Sequence, residues 1–283
     1  MPSAIDPHVI RRFTTGELDL PLLPALITQL LAATQDPDAD IREMEHLVCQ
    51  DGPLAAHVLR VANAPAFAGQ RQLTSIREAI TRIGTRALVR IAITARLSKL
   101  YFVPGSRAAS ERIRRHAQLT GVYAVELSRL MKTDPEQAFL CGLLHTIGKP
   151  VVLRTVVTAA ADLEVSLEAS EIQQWLAEWY VSVGARLVQG WQLPRVIQEA
   201  VTFHDRPQRA TDFPREVQLT SLASTLALAQ TRDRSEQPGL VKAHPAVSSL
   251  SLEIEPLVAI LGKSRLVQQA EALALRPAAD LAA

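Results

Sequence analysis

Apolar residues along this chain recur at spacings of three and four and seldom alternate, which is the pattern of helices with one buried face. In "LDLPLLPALITQLLAATQDPDAD", Pro21 and Pro24 bracket an entry, after which Leu26, Leu30 and Ala33 share a face up to the turn at Asp36. "DIREMEHLVCQDGPLAAHVLRVAN" reads as two helices split at Asp51-Gly52-Pro53, with Met44, Leu47 and Val48 inward on the first and Leu54, Val58 and Val61 on the second. Ser75 and Glu78 have capping-box spacing, and "IREAITRI" then runs to Gly84, followed by a helix from Thr85 to about Leu100. The polar stretch "PGSRAASER", residues 104–112, marks a boundary between two helical lobes, with the cut near Ser106.

Beyond that boundary, "IRRHAQLTGVYAVELSRLM" is an amphipathic helix, and the helix leading to His145 is capped either by Thr133 with Glu136 or by Asp134 ahead of Pro135. "VVLRTVVT" is β-branched and fits a strand or a helix end equally. Helices follow in "EIQQWLAEWYVSVGARLVQGW", "LPRVIQEAVTFH" and "PREVQLTSLASTLALAQ", then a loop at 231–239, while the terminal "RPAADLAA" frays. The resulting expectation is an all-α, two-lobed helical bundle: a first lobe over 1–105, a second over 106–230, and a loop with a helical extension over 231–283.

With 283 residues, 48% of them hydrophobic, the chain can bury a large core. Its 30 basic and 29 acidic residues leave a net charge of +1, which provides no global field for nucleic acid or an anionic membrane. No apolar stretch reads as a signal peptide or a span, so the expectation is a soluble, cytoplasmic protein. Cys49 and Cys141 lie far apart in apolar segments and are expected as buried free thiols.

Five segments, "LPLLPAL", "QDGPLAAHVLRVAN", "TSIREAITRIG", "GLLHTIGK" and "VGARLVQGWQLPRVIQEAVTFHDRP", stand in an order that resembles the HDOD domain family, a helical bacterial signalling relative of the HD phosphohydrolases. The resemblance covers about residues 17–225. It implies an all-α fold with an N-terminal lobe beside an HD-like bundle. It also implies where an HD metal centre would stand: His116 first, His145 and Thr146 as the His-Asp pair, and Ser224 as the distant aspartate. Both carboxylates are therefore replaced by hydroxyls, which are poor ligands for a hard divalent cation. Tyr180, His204 and Asp205 match positions of the further ligands in the HD-GYP hydrolases, but the GYP segment is absent, since "HDRPQRATDF" follows.

Two chemistries remain for these residues. His116, His145 and His204 with Asp205 would form a rearranged metal centre in which Lys149 steadies a phosphoryl oxygen. The favoured alternative has His116 and His145 bonded to each other, to Thr146 or to backbone, with Lys149 capping a helix C-terminus. Arg112, Arg114 and Arg115, beside His116, offer cations to a nucleotide phosphate but read more readily as a solvated helix face. Arg82, Arg86 and Arg90 read in the same way as surface salt bridges, with Gly84 interrupting the stripe. Trp175 and Trp179 read as core. No nucleophile elbow, Walker loop or Gly-rich phosphate loop occurs.

The sequence thus predicts a regulatory module without catalysis, metal or cofactor. It would act through a signalling protein partner, or through a nucleotide or other anionic ligand in a vestigial pocket of His116, His145, Lys149, His204, Asp205 and Arg115. Neither a membrane nor a specific nucleic acid is an expected partner, and self-association is open. The competing expectation is a metal-dependent phosphohydrolase.

Overall fold

Proline, glycine and Asx residues divide the chain into helices much as the sequence predicts. The computed structural model describes residues 6–15, 20–22, 25–35, 41–65, 67 and 71–273, and no strand occurs among them. The described residues fall into two units, one within 1–22 and 100–262 and the other within 23–99 and 263–283. Helix α1 (Asp6–Thr15) belongs to the first of these.

The other unit holds α2 (Ala25–Gln35), α3 (Ile41–Cys49), α4 (Gly52–Ala62), α5 (Ile76–Ile83) and most of α6 (Thr85–Tyr101). Its core includes Leu30, Met44, Leu47, Val48, Leu54, Val58 and Val61, as the periodicity predicts, and Ile27 fills the place given to Leu26. The Ala33 side chain and the Asp36 turn lie outside the described residues. Asp51 caps α4 by accepting from Leu54 N at 3.2 Å, and the same carboxylate pairs with Arg96. Asn63 fixes the following loop, donating from Nδ2 to Leu59 O and Leu73 O at 2.9 Å each and accepting from Leu73 N at 2.8 Å.

The larger unit is built round α7 (Arg107–Met131), which packs against α8 (Pro135–Leu144) and α12 (Pro214–Ala229). Helix α9 (Gly148–Asp162) packs on α10 (Ala169–Gly190), and α11 (Arg195–Phe203) bridges α10 to α8 and α12. Short helices α13 (Gln237–Lys242) and α14 (Pro245–Ser249) pack on α12, α15 (Ile254–Leu261) packs on α13 and α7, and α16 (Ser264–Leu273) falls in the other unit. The terminal "RPAADLAA" lies outside the described residues.

Several expectations change. The division falls at Leu100, before the polar stretch, and α1 joins the larger unit because Phe13 stacks on Trp179 at 4.9 Å and accepts at its carbonyl from Arg186 at 2.9 Å. Trp175 is buried as expected, but Trp179 is only half-buried under Phe13. Helix α7 is amphipathic only in its first half, since every residue from Ala117 to Ser128 is buried between neighbours on several sides. Ser75 makes no side-chain cap, and the Glu78 carboxylate, which would complete a capping box, accepts instead from Arg71 at 2.6 Å. Arg82 donates to the loop carbonyls of Arg71 and Ala62, at 2.8 and 3.5 Å, and forms no surface ion pair there. "VVLRTVVT" is helical, the loop after Gln230 gives way to α13 at Gln237, and Cys49 is exposed, leaving only Cys141 as a buried thiol. The stretch Pro135–Asp162 is long and apolar enough to cross a membrane by composition, but 72% of its apolar window is buried in protein and a turn at 145–147 interrupts it.

That turn is held by two glycine crossings. A Cβ on Gly142 of α8 would stand 2.8 Å from Gly121 Cα and Thr120 O of α7, and one on Gly148 of α9 would stand 2.0 Å from Tyr180 O and 2.6 Å from Gly184 N of α10. These distances lie inside van der Waals contact and the obstructing atoms are backbone, so relief requires the helices to separate. Gly142→Ala should therefore destabilise by about 2–3 kcal/mol and Gly148→Ala by more. Gly190→Ala, where a methyl meets open space in α10, should be neutral or stabilising by up to about 1 kcal/mol. Urea unfolding of the three variants checks the ranking.

Candidate functional site

The α8–α9 corner carries His145, Thr146 and Lys149 into the middle of the larger unit. Asp134, not Thr133, starts α8 by accepting from Glu136 N at 2.8 Å and Gln137 N at 3.4 Å, and Pro135 occupies the first turn. The close crossing at Gly121 and Gly142 then brings the end of α8 to α7, where His116 waits, while the crossing at Gly148 and Gly184 sets Lys149 against α10 at Tyr180.

Hydrogen bonds fix the tautomers. His145 Nδ1 lies 2.7 Å from Gly142 O, and a carbonyl only accepts, so Nδ1 carries the proton and Nε2 is a bare acceptor in the neutral ring. His116 Nε2, 3.2 Å from His145 Nε2, must then be the protonated partner, and its N–H is shared with Ser224 Oγ at 3.1 Å. His204 repeats the arrangement: Nδ1 donates to Ala200 O and Val201 O at 3.2 and 3.1 Å, and Nε2 accepts from Tyr180 OH at 3.1 Å. The His145 and His204 rings meet edge to face at 4.8 Å. Two hydrogen-bonded groups, Ser224–His116–His145 and Tyr180–His204, therefore meet at this ring contact, and Lys149 Nζ rests 4.8 Å from the centroid of the Tyr180 ring.

Burial keeps the cluster uncharged at the histidines. Desolvation, then the charges of Lys149 and His204, push the His116 imidazole down to about 3. Desolvation pushes His204 down to about 4, with Asp205 opposing the shift. His145 is held well below the ordinary imidazole range by burial and by its two histidine neighbours, against the pull of the Gly142 bond. Burial also raises the Tyr180 phenol to about 12, so it stays a donor, and lowers the Lys149 ammonium.

Of the six residues expected to form the site, the structure brings four together. His116, His145, His204 and Lys149 form the cluster; Arg115 is exposed on α7, and Asp205 is exposed with Arg206 3.6 Å away. Within the basic run, Arg112 is exposed as well, and Arg114 turns to Glu111 and to Gln118. Lys149 lies in the first turn of α9 and so caps no helix C-terminus, as had been expected of it. Thr146 is not the partner of either histidine: its Oγ1 is buried without a hydrogen bond. Sequence reasoning missed the partner roles of Ser224 and Tyr180, and also Glu199, whose carboxylate accepts from the backbone of Thr211, Asp212 and Phe213 and anchors the loop after His204. Desolvation raises its pKa, but those backbone bonds outweigh it and leave the group lowered. The signal was a lone carboxylate in the apolar "VIQEAVTF".

A divalent metal fits this donor set poorly. The groups beside His145 and His116 are the hydroxyls of Thr146 and Ser224, two of the imidazoles are bonded to each other, and His204 Nε2 is taken by Tyr180. Among the described residues, no three His, Cys, Asp or Glu side chains are arranged to share one ion.

A family model described as the HDOD domain matches residues 20–207, two thirds of the chain. The chain belongs to the HDOD domain family. A similar fold is found in an HDOD domain protein of unknown function from Geobacter sulfurreducens, at a TM-score of 0.75 and 20% identity over 95% of this chain and 98% of that one. A protein from Shewanella amazonensis, provisionally named a phosphohydrolase, gives a TM-score of 0.70 at 21% identity, covering 96% and 99% of the two chains. One from Marinobacter aquaeolei, provisionally named a signal transduction protein, gives 0.67 at 20% identity, covering 95% and 63%. An uncharacterized protein of Treponema pallidum is 26% identical over 231 residues, and this HDOD chain spans 41% of its length.

The neutral histidines make stability depend on pH. Their folded pKa values lie below the unfolded value of about 6.5, so their contribution is complete above about pH 6.5 and is lost as pH falls from there toward about 4 for His204 and about 3 for His116. Each should cost up to about 1.4 kcal/mol per pH unit across that window. His116→Gln, which keeps a donor near the Nε2 position, should make the loss from pH 7 to pH 5 shallower in urea unfolding.

Proposed function

We propose that this HDOD protein is a signal-transduction module that regulates by binding and does not hydrolyse phosphate esters. The observation that carries the reading is the chemistry of the cluster. Hydrolysis in an HD-type centre depends on a cation that acidifies a bound water, and carboxylates must hold that cation against hydration. Here Thr146 and Ser224 stand at those positions, and the bare imidazole nitrogens of His145 and His204 accept hydrogen bonds from His116 and Tyr180.

Binding needs no such centre, and the helical scaffold that the HDOD family shares suits it. The Marinobacter aquaeolei protein named for signal transduction supports this side of the comparison, and the Shewanella amazonensis protein named a phosphohydrolase supports the other. The hydroxyls of Thr146 and Ser224 at the carboxylate positions support the first side, regulation through a signalling protein partner. Two thiols without a disulfide, one of them exposed, fit a reducing cytoplasm.

Elemental analysis of protein purified without chelator should find less than about a tenth of an equivalent of transition metal, unchanged by a His116→Ala, His145→Ala double variant. Metal-dependent turnover of a phosphodiester or nucleotide that disappears in His145→Ala would overturn the reading.

A further inference from the structure

The chain has three tryptophans, and all three meet its N-terminal segment. Phe13 of α1 stacks on Trp179 at 4.9 Å and lies tilted against Trp175 at 6.3 Å, and Trp191 Nε1 donates to Pro21 O at 2.6 Å. Trp175, Trp179 and Arg186 recur at helical spacing along one face of α10, and Trp191 follows at its C-terminal end. Arg186 donates to the Phe13 carbonyl at 2.9 Å. Arg186 and Trp191 therefore bind main-chain oxygens, which any peptide carries. The side-chain anchors of α1 are Val9 and Phe13, both buried and one turn apart. An amphipathic helix docks on a partner in this way.

Two observations set this contact apart from ordinary core packing. The charge around it is one-sided: between Arg154 and Arg186 the chain carries Asp162, Glu164, Glu168, Glu171 and Glu178 and no Lys or Arg. Helix α1 carries Arg11 and Arg12, and Arg12 pairs with Asp162 of α9 at 3.5 Å. The fit is also incomplete. Trp179 Nε1 is buried without an acceptor, and the Phe13 ring stacked on that indole supplies no oxygen. Nor is α1 firmly fixed by its own length. It has ten residues, fewer than the roughly 12–15 an isolated helix needs in water, and its exposed ion pair contributes little. It also lies ahead of residues 20–207, which carry the HDOD match.

We infer that the tryptophan face of α10, with Asp162 of α9, is a docking surface for a basic amphipathic helix of a partner protein, and that α1 is the resident helix which this partner displaces. The partner helix carries an aliphatic and an aromatic anchor one turn apart, as Val9 and Phe13 are. It adds an Arg or Lys beside the aromatic for Asp162, and a side-chain oxygen for Trp179 Nε1. The inference rests on the proposed regulation through a protein partner and names the surface that partner uses.

A fluorescein-labelled peptide of residues 5–22 serves as the probe, titrated by fluorescence anisotropy into the full wild-type chain and its Phe13→Ala variant. The variant should bind the peptide about tenfold tighter than wild type or better, because weakening the resident helix raises the fraction of open faces. The same peptide bearing Phe13→Ala and Arg12→Glu should bind neither protein. No binding to the variant, or equal affinity for variant and wild type, overturns the displaceable helix. Should Phe13→Ala fail to fold, hydrogen exchange of the wild type decides. Hydrogen-bonded amides of α1 exchanging roughly a hundredfold faster than those of α10 support local release, and one common rate overturns it. A wild-type dimer that Phe13→Ala abolishes would assign the face to α1 of a second copy and overturn the partner helix. Metal-dependent turnover lost in His145→Ala would end the non-catalytic reading and leave the peptide result standing, whereas failure of the peptide to bind leaves that reading intact.

Discussion

Two places where helix backbone touches helix backbone position everything else in the larger unit. At Gly142 the end of α8 lies on α7, and at Gly148 the start of α9 lies on α10; neither contact leaves room for a methyl group. Five residues lie between the two glycines, and the turn they form points inward. His145 therefore meets His116, and Lys149 meets Tyr180. Relaxing either crossing would separate those pairs before it disturbed the apolar core around them, because close-packed helices move as units.

An inward corner rich in polar atoms pairs most of them with one another. The chain does so with neutral groups: each of two imidazoles gives its Nδ1 proton to a carbonyl of the preceding turn and accepts at Nε2 from a neighbouring donor. Such a network is stable while it remains uncharged, since a second proton on any ring would remove an acceptor and bury a charge. The arrangement resembles the way metal-ligating histidines are oriented by carbonyls. That orientation is present here, and the groups beside His145 and His116 are the hydroxyls of Thr146 and Ser224. The Lys149 charge rests on the Tyr180 ring, and the Thr146 hydroxyl is buried without a hydrogen bond.

Much of the helix order was legible in the sequence because Asp51-Gly52-Pro53, Gly84 and Asp134-Pro135 each change what the backbone can do locally. The family resemblance likewise located His116, His145, Thr146 and Ser224 as one site. Periodicity failed along α7, where residues 117–128 are buried on every side and no polar face exists to find. It failed again at Ser75, whose capping spacing lost its partner when Glu78 was taken by Arg71, a competition no local window contains. Asp205 and Arg115 stand beside site residues in sequence, yet they are exposed, since neighbours along a helix face different ways. The Tyr180–His204 and Ser224–His116 bonds join residues far apart in the chain and could be expected only through the fold.

The function proposed for the protein requires the histidine cluster to be a neutral, hydrogen-bonded group and not a metal centre. Nitrogen-15 NMR of the imidazole rings at neutral pH, before and after one equivalent of zinc, tests it most directly. The account predicts neutral rings, with His145 and His204 protonated at Nδ1 and His116 at Nε2, and no change at any Nε2 on adding zinc. A zinc-induced shift of the Nε2 resonances of His116 and His145 together, with loss of the His116 Nε2 proton, would contradict it.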